Sequence, residues 1–236
     1  MKIGFVVTTH YSESLRKEGR SLIRDYVNTL ADSCTYEYKI FIIDNGSSKR
    51  IVDEMLNNNI DYTYVENQSI SGITGAWNLG IGKAIDDGCD IIMNTNDDIT
   101  FNKSINNMID VVINHKLNKT SIFGPVTNVG GCPGPNNQER NTIGERVLEV
   151  TETSPNSWNK GHGINGFFNA FTKECFYNFE KNGVLYSTDK KYMIGGQESE
   201  MQVRLGKKGL KSFIVESCMV YHKKIRGWMQ LKKMKI

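Results

Sequence analysis

Proline is scarce in this chain, with four in 236 residues, and no tract of low complexity or repeated sequence accompanies it. Collagen-like and disordered architectures are excluded on that ground together with an ordinary 39% hydrophobic and 23% charged composition. No CxxC pair occurs among Cys34, Cys89, Cys132, Cys175 and Cys218. Their odd number and wide spacing argue against both a zinc site and a disulfide framework, and point to reduced thiols in a cytosolic protein. No apolar run approaches the roughly 20 residues that cross a bilayer. The opening MKIGFVVTTHYSES is too short in its apolar part for a secretory signal and reads as a first strand. Two phosphate-binding signatures are also missing. TTHYSESLRKEG after that strand holds no G-x-G-x-x-G, and Gly82-Lys83 is followed by Ala84 rather than Ser or Thr. A basic nucleic-acid-binding balance is missing too: the net charge is only +3, and the last 15 residues, HKKIRGWMQLKKMKI, carry six of the cations. No nucleic-acid partner is expected. The basic end suits either a frayed terminus or weak contact with an anionic membrane surface.

What is present is alternation. IGFVVTT (3–9), YKIFIID (38–44), DYTYVEN (61–67) and CDIIMNT (89–95) are strand-length apolar runs. Between them, helical spacing recurs from about Glu18 to Ala31, from Ile51 to Leu56 and over 74–87. Asn102 is placed to cap a further helix with the stripe Ile105, Met108, Ile109, Val112 and Ile113. The pattern predicts an α/β fold with a mainly parallel central sheet and helices on both faces. Residues 124–163 are polar and rich in Gly and Pro, as functional loops are. NGFFNAFTKECF reads as strand and turn, 197–208 as a helix stopped by Gly209, and KSFIVES with CMVYH as the closing strands.

In an open parallel sheet, ligands bind beyond the carboxyl ends of the strands. Those ends deliver Thr8, Thr9 and Tyr11, then Asp44 and Asn45, then Asn96, Asp97 and Asp98; Glu198, Glu200 and His222 follow late in the chain. The Asn-Asp-Asp cluster offers the hard oxygen ligands that a divalent cation between two phosphates needs, but equally makes an ordinary turn before a helix.

Several segments in order resemble the GT-A glycosyltransferases of inverting family 2: FVVTTHY, IIDNGSS, the glycine-rich run from Gly72 to Gly80 with Asn78, MNTNDDI in place of D-x-D, GQESEMQVRLGKKG in place of E-D-x-D-L-x-x-R, and VYHKK. The first D-x-D position is Asn96, and the acidic pair reads Gln197-Glu198. The resemblance implies one GT-A-like domain over 1–236, with a nucleotide-sugar half at 1–100, an acceptor and catalytic half at 101–222, and a basic tail at 223–236. It implies transfer of a sugar from a nucleotide sugar, by default a UDP-sugar, to an acceptor hydroxyl of a glycan or of a protein-linked or lipid-linked acceptor, with Mn²⁺ or Mg²⁺. By that likeness Glu198 is the general base, with Glu200 as its alternate. Thr8, Thr9, Tyr11, Asp44, Asn45, Gly72, Asn78, Asn96 and Asp97 hold the donor, and Asp98 and His222 the metal. Trp158, Asn165 and Gly166 lie toward the acceptor. Two rival readings are a sugar-phosphate nucleotidyltransferase, which would want a glycine-rich basic loop after the first strand, and an inactive nucleotide- or sugar-binding module.

Overall fold

The computed structural model describes residues 1–13, 17–49, 51, 61–66, 72–130, 138–150, 163–189 and 196–223. The helix expected over 51–56 and the tail after 223 lie outside them, apart from Ile51, which is buried.

Strand β1 (Ile3–Thr9) is buried at all seven positions. It pairs in parallel with β2 (Tyr38–Asp44) on one side and β4 (Ile91–Asn96) on the other, and β2 pairs in parallel with β3 (Tyr62–Glu66). Between them run α1 (Gly19–Ser33) and α2 (Gly72–Asp86). Side chains alternate across the sheet, so β1 divides its contacts between two cores. Ile3, Phe5 and Val7 join Tyr26 and Leu30 of α1, whereas Val6 joins Trp77 and Ile81 of α2. Helix α2 carries four glycines, and one of them makes a close approach: a Cβ at Gly80 would stand 2.3 Å from Val6 Cγ1 and 2.8 Å from Ile43 Cγ1. The helix therefore lies directly on β1 and β2.

The second half adds antiparallel pairings to the mainly parallel sheet, alongside the parallel pairing of its own sixth and ninth strands. After β5 (Ile99–Thr100), α3 (Ile105–Asn114), β6 (Ser121–Thr127) and the short β7 (Val147–Glu149) comes β8 (Phe168–Thr172). Strand β8 runs antiparallel to both neighbours, β4 and β6. Among the described residues between β6 and β8 there is no crossover helix, the device that keeps successive strands parallel. The sheet is thus mixed, in the order β3-β2-β1-β4-β8-β6-β9-β5, with β7 beside β9.

Asn102 caps the start of α3 as expected, its Oδ1 accepting from Ser104 N at 2.9 Å. Both residues also reach the Met219 carbonyl, Asn102 Nδ2 at 2.9 Å and Ser104 Oγ at 3.2 Å. Three local expectations are corrected. The segment expected as a turn after β8 is helix α4 (Lys173–Phe179), started by Thr172 Oγ1 accepting from Cys175 N. Helix α5 (Gln197–Gly206) ends two residues early, and Gly209 follows at φ +99°. The two closing strands are one, β9 (Lys211–His222). Its register against β6 jumps from Val215 to Met219, a bulge that re-aims the strand end so that His222 pairs with Ile99.

Candidate functional site

The strand order places β1 at the switch point: the chain leaves it toward β2 and β3, then returns to its other side as β4. A crevice at the carboxyl ends follows from that topology. In register, Thr8 stands opposite Asn96 and Thr9 opposite Asp44. The loops after β1 and β2 are laced together by Asn45 N to Thr9 O at 2.9 Å, Tyr11 N to Ser47 Oγ at 2.8 Å and Ser48 N to Tyr11 O at 2.9 Å. His10 Nδ1 lies 3.0 Å from Asn45 O, and the Arg20 guanidinium sits 4.6 Å over the Tyr11 ring. Asp44 is held on both oxygens. Ser47 N donates to Oδ1 at 3.0 Å, and the Tyr64 hydroxyl donates to Oδ2. Burial and the neighbouring carboxylate push the Tyr64 phenol well above its ordinary range, so it stays a donor. Sequence reasoning passed over Tyr64, and only the pairing of β3 with β2 reveals it.

The floor of this crevice is polar and incompletely satisfied. The side-chain oxygens of Thr8, Thr9 and Asn96 are buried without a hydrogen-bond partner. A buried polar atom left unpaired costs about 1–3 kcal/mol, so such atoms ordinarily meet water or a ligand. Gly72 opens α2 at φ +64°, beside residues 67–71, which are outside the described set. Asn78, expected on the donor side, is instead taken up within the fold. Its Oδ1 accepts from Leu185 N and Tyr186 N at 3.2 and 3.0 Å, and its Nδ2 donates to Tyr186 O at 2.9 Å.

Beyond Asn96 the chain turns through Asp97 and Asp98, 2% and 4% exposed. Asp98 Oδ1 lies 3.3 Å from His222 Nε2. Backbone bonds fix this meeting: Lys223 N donates to Asp98 O at 2.7 Å, and His222 N to Asn128 Oδ1 at 2.7 Å. The imidazole stacks on Phe167 with ring centres 4.9 Å apart. Its Nδ1 lies 3.1 Å from the Val129 carbonyl, which can only accept, so Nδ1 carries a proton. In the neutral ring the Nε2 lone pair then faces the Asp98 oxygen. Two lone pairs at that distance call for a proton or a cation between them. The donor set, one carboxylate oxygen and one imidazole nitrogen, suits Mn²⁺ or Mg²⁺ with positions left for phosphate oxygens. Among the described residues no cluster of three acidic, His or Cys ligands forms. The Lys223 ammonium, beside His222, pairs with Asp25.

The two glutamates of α5 separate in role. Glu200 is in a bidentate pair with Arg204, at 2.6 and 3.2 Å, and Arg204 also holds Leu185 O at 2.9 Å. That engagement spends Glu200 on the architecture. Glu198 has no such ion pair among the described residues. Burial pushes its carboxyl above the ordinary range, opposed by the N–H groups of Glu198 and Gly166. Asn165 is positioned by its backbone, with N donating to Gln138 Oε1 at 2.8 Å, and Gly166 lies against Glu198. Trp158 is outside the described residues. Trp77, Phe167 and Phe168 are core, each at most 2% exposed.

The model of the glycosyl transferase family 2 matches residues 5–178, and the chain belongs to that family. No curated protein matches it. Among solved structures it is similar to GalNAc-T7 with UDP, GalNAc and Mn²⁺, with TM-score 0.66, 16% identity, and coverage of 94% of this chain and 44% of that one. It is also similar to S. aureus TarS 1–349 in complex with UDP, with TM-score 0.63, 12% identity and coverage of 94% and 60%. TarS 1–349 alone gives TM-score 0.62 at 12% identity, covering 99% of this chain and 64% of that one. The chain therefore spans less than two thirds of each of these structures, and at such identities the likeness is one of fold, here GT-A. No helix among the described residues is long and apolar enough to cross a membrane.

Proposed function

We propose that this protein transfers a sugar from a nucleoside diphosphate sugar to an acceptor hydroxyl, with inversion and with a divalent cation. The observation that carries the reading is the unsatisfied crevice floor of Thr8, Thr9 and Asn96, flanked by the clamped Asp44 carboxylate and the Asp98–His222 pair. Family membership and the UDP named in two neighbouring structures support the same donor class.

Each residue has work that its surroundings suit. An ionised Asp44 only accepts hydrogen bonds. It therefore favours a base edge or ribose hydroxyl that donates, such as the N3–H of uracil, over the acceptor ring nitrogens of cytosine or adenine. Tyr11, backed by Arg20, closes the nucleoside side. Asp98 and His222 would hold the cation, which supplies Lewis-acid stabilisation of the diphosphate leaving group. Asp97 faces the sugar. Glu198 takes the proton of the acceptor hydroxyl as it attacks the anomeric carbon, and a raised pKa strengthens a carboxylate as a base. The first 100 residues form the nucleotide half, and the acceptor is bound by the second half, on the side of Asn165.

A thermal-shift screen of UDP, GDP, dTDP, CDP and ADP, with and without Mn²⁺, tests this. A ligand that binds only the native state raises its melting temperature. One uridine, thymidine or guanosine diphosphate is expected to stabilise in a metal-dependent way, and Asp98→Ala to abolish the metal's share. Silence from all five diphosphates overturns the proposal.

A further inference from the structure

We infer that residues 163–166 form a positioning strap for the Glu198 carboxyl group, with Gly166 the residue against which that side chain is laid. The inference rests on Glu198 being the base proposed above. Glu198 is the second residue of α5, so the helix fixes its Cα but not its three side-chain torsions. The strap supplies the missing constraint. A Cβ at Gly166 would stand 3.0 Å from Glu198 Cβ, 3.1 Å from its Cγ and 3.1 Å from Trp77 Cη2. The stem of Glu198 and the buried indole therefore both crowd the Gly166 backbone, and a residue with any side chain would displace one of them.

The strap is rigid enough for this because two buried side-chain amides grip it. Gln202 Oε1 accepts from Ile164 N at 2.7 Å, while its Nε2 donates to Ile164 O at 2.7 Å and to Glu198 O at 3.1 Å. The same Oε1 accepts from Ser212 Oγ at 2.7 Å, anchoring the grip to β9. Gln138 holds the next residue, accepting from Asn165 N at 2.8 Å and donating to Pro125 O at 3.1 Å. Gly163 leaves room for the grip, since a Cβ there would stand 2.5 Å from Gln202 Oε1. One residue past Gly166, Phe167 stacks on His222 and its carbonyl accepts from Asn96 N at 2.9 Å. A single stretch of backbone thus bears on the proposed base at one end and on the proposed metal pair at the other. Gly166, read from the sequence as an acceptor contact, is by this account a positioning residue.

The test follows the carboxyl group itself. In isotope-labelled full-length protein, the Glu198 side-chain carbon, assigned by its loss in Glu198→Gln, is titrated by NMR together with the Gly166 amide. Tyr186, which feels the Glu198 charge, is kept neutral by burial throughout the acid-to-neutral range, so the transition belongs to the carboxyl group. The Gly166 amide is expected to titrate with the Glu198 midpoint and to be flat in Glu198→Gln. In Gly166→Ala the midpoint moves upward, as the carboxylate loses the amide's support. Turnover of a UDP-sugar by hydrolysis falls about tenfold or more, at unchanged UDP affinity, as expected when a reacting group is misplaced by a fraction of an ångström. A Gly166 amide indifferent to the Glu198 titration overturns the inference, as does a folded Gly166→Ala protein with unchanged midpoint and turnover. If Gly166→Ala does not fold, the wild-type titration decides alone. If Glu198→Gln retains turnover, the base assignment fails while the titration still judges the strap.

Discussion

Two clusters of buried polar side chains, one at the ends of β1, β2 and β4 and one around Gln202 and Glu216, fare in opposite ways. Where β1, β2 and β4 end, Thr8, Thr9 and Asn96 bury oxygens that the protein does not satisfy. Around β9 and α5, two buried polar groups are satisfied several times over, although Gln197 Oε1 at the start of α5 has no partner. Gln202 makes four hydrogen bonds, and the Glu216 carboxylate, on the β9 bulge, takes Arg146 through two nitrogens and Arg140 through a third. Folding alone disfavours the first arrangement and explains the second. Unsatisfied oxygens gathered at adjacent strand ends mark a place for a ligand, and a carboxylate or amide bonded several times over marks scaffold.

Four measurements press on that contrast. Replacing Glu198 by Gln is expected to lower transfer or hydrolysis by about 10²–10⁴-fold, the usual reach of a general base, with nucleotide affinity preserved. The same change should raise the melting temperature at neutral pH. Burial raises the Glu198 pKa, so the protonated carboxyl is favoured in the fold. Its stabilising contribution is present in acid and is lost as pH rises through the folded pKa. Loss of turnover with a gain in stability separates a functional residue from a structural one, and an unaltered rate would remove Glu198 from the site.

Asp98→Asn comes next. Metal-dependent stabilisation by UDP should weaken by about 10–100-fold in apparent metal affinity, the scale on which ligation geometry tells. A chelator should reproduce this in the unaltered protein, and calorimetry with Mn²⁺ reads both.

The scaffold cluster is probed by Glu216→Gln. Arg140 and Arg146 then lose the carboxylate charge that they share, though Arg146 is 69% exposed and regains water. A loss of about 1–3 kcal/mol in unfolding free energy is expected, with UDP affinity unchanged. The hydrogen bond from Arg146 holds the Glu216 pKa low, with Arg140 adding to it. Glu216 therefore contributes stability above its unfolded pKa, and that contribution disappears as pH falls through the lower folded value. Denaturant curves of the two proteins should accordingly converge in strong acid.

The smallest effect is expected of Tyr64→Phe. It removes one of the two donors that orient Asp44, at about 0.5–1.5 kcal/mol for a hydrogen bond, and should weaken UDP binding several-fold without altering the fold. Equal affinity for UDP in the two proteins would show that Ser47 orients Asp44 unaided.

Much of this molecule could be read before its structure was known. The apolar runs 3–9 and 38–44 are strands β1 and β2 to the residue, and the stripe Ile105, Met108, Ile109 and Val112 is buried as its spacing requires. Strands buried on both faces and amphipathic helices are local consequences of composition. The same regularity brought Asp44, Asn96 and Asp98 to strand ends. Distant partners escaped that reading. The antiparallel β8, the bulge that carries His222 to Asp98, and the contacts of Asn102 and Ser104 with Met219 all depend on residues far apart in the chain. The hydrogen-bonding capacity of Asn78 and Glu200 was visible in the sequence, but not that Tyr186 and Arg204 would use it. Sequence by itself determined the alternating α/β elements and which strand ends carry polar oxygen side chains, because periodicity and turn chemistry are encoded by near neighbours. Which of those polar groups are consumed by the scaffold, and which stay open to a ligand, was decided only by tertiary structure, because hydrogen bonds are apportioned between groups that meet only when the chain is packed.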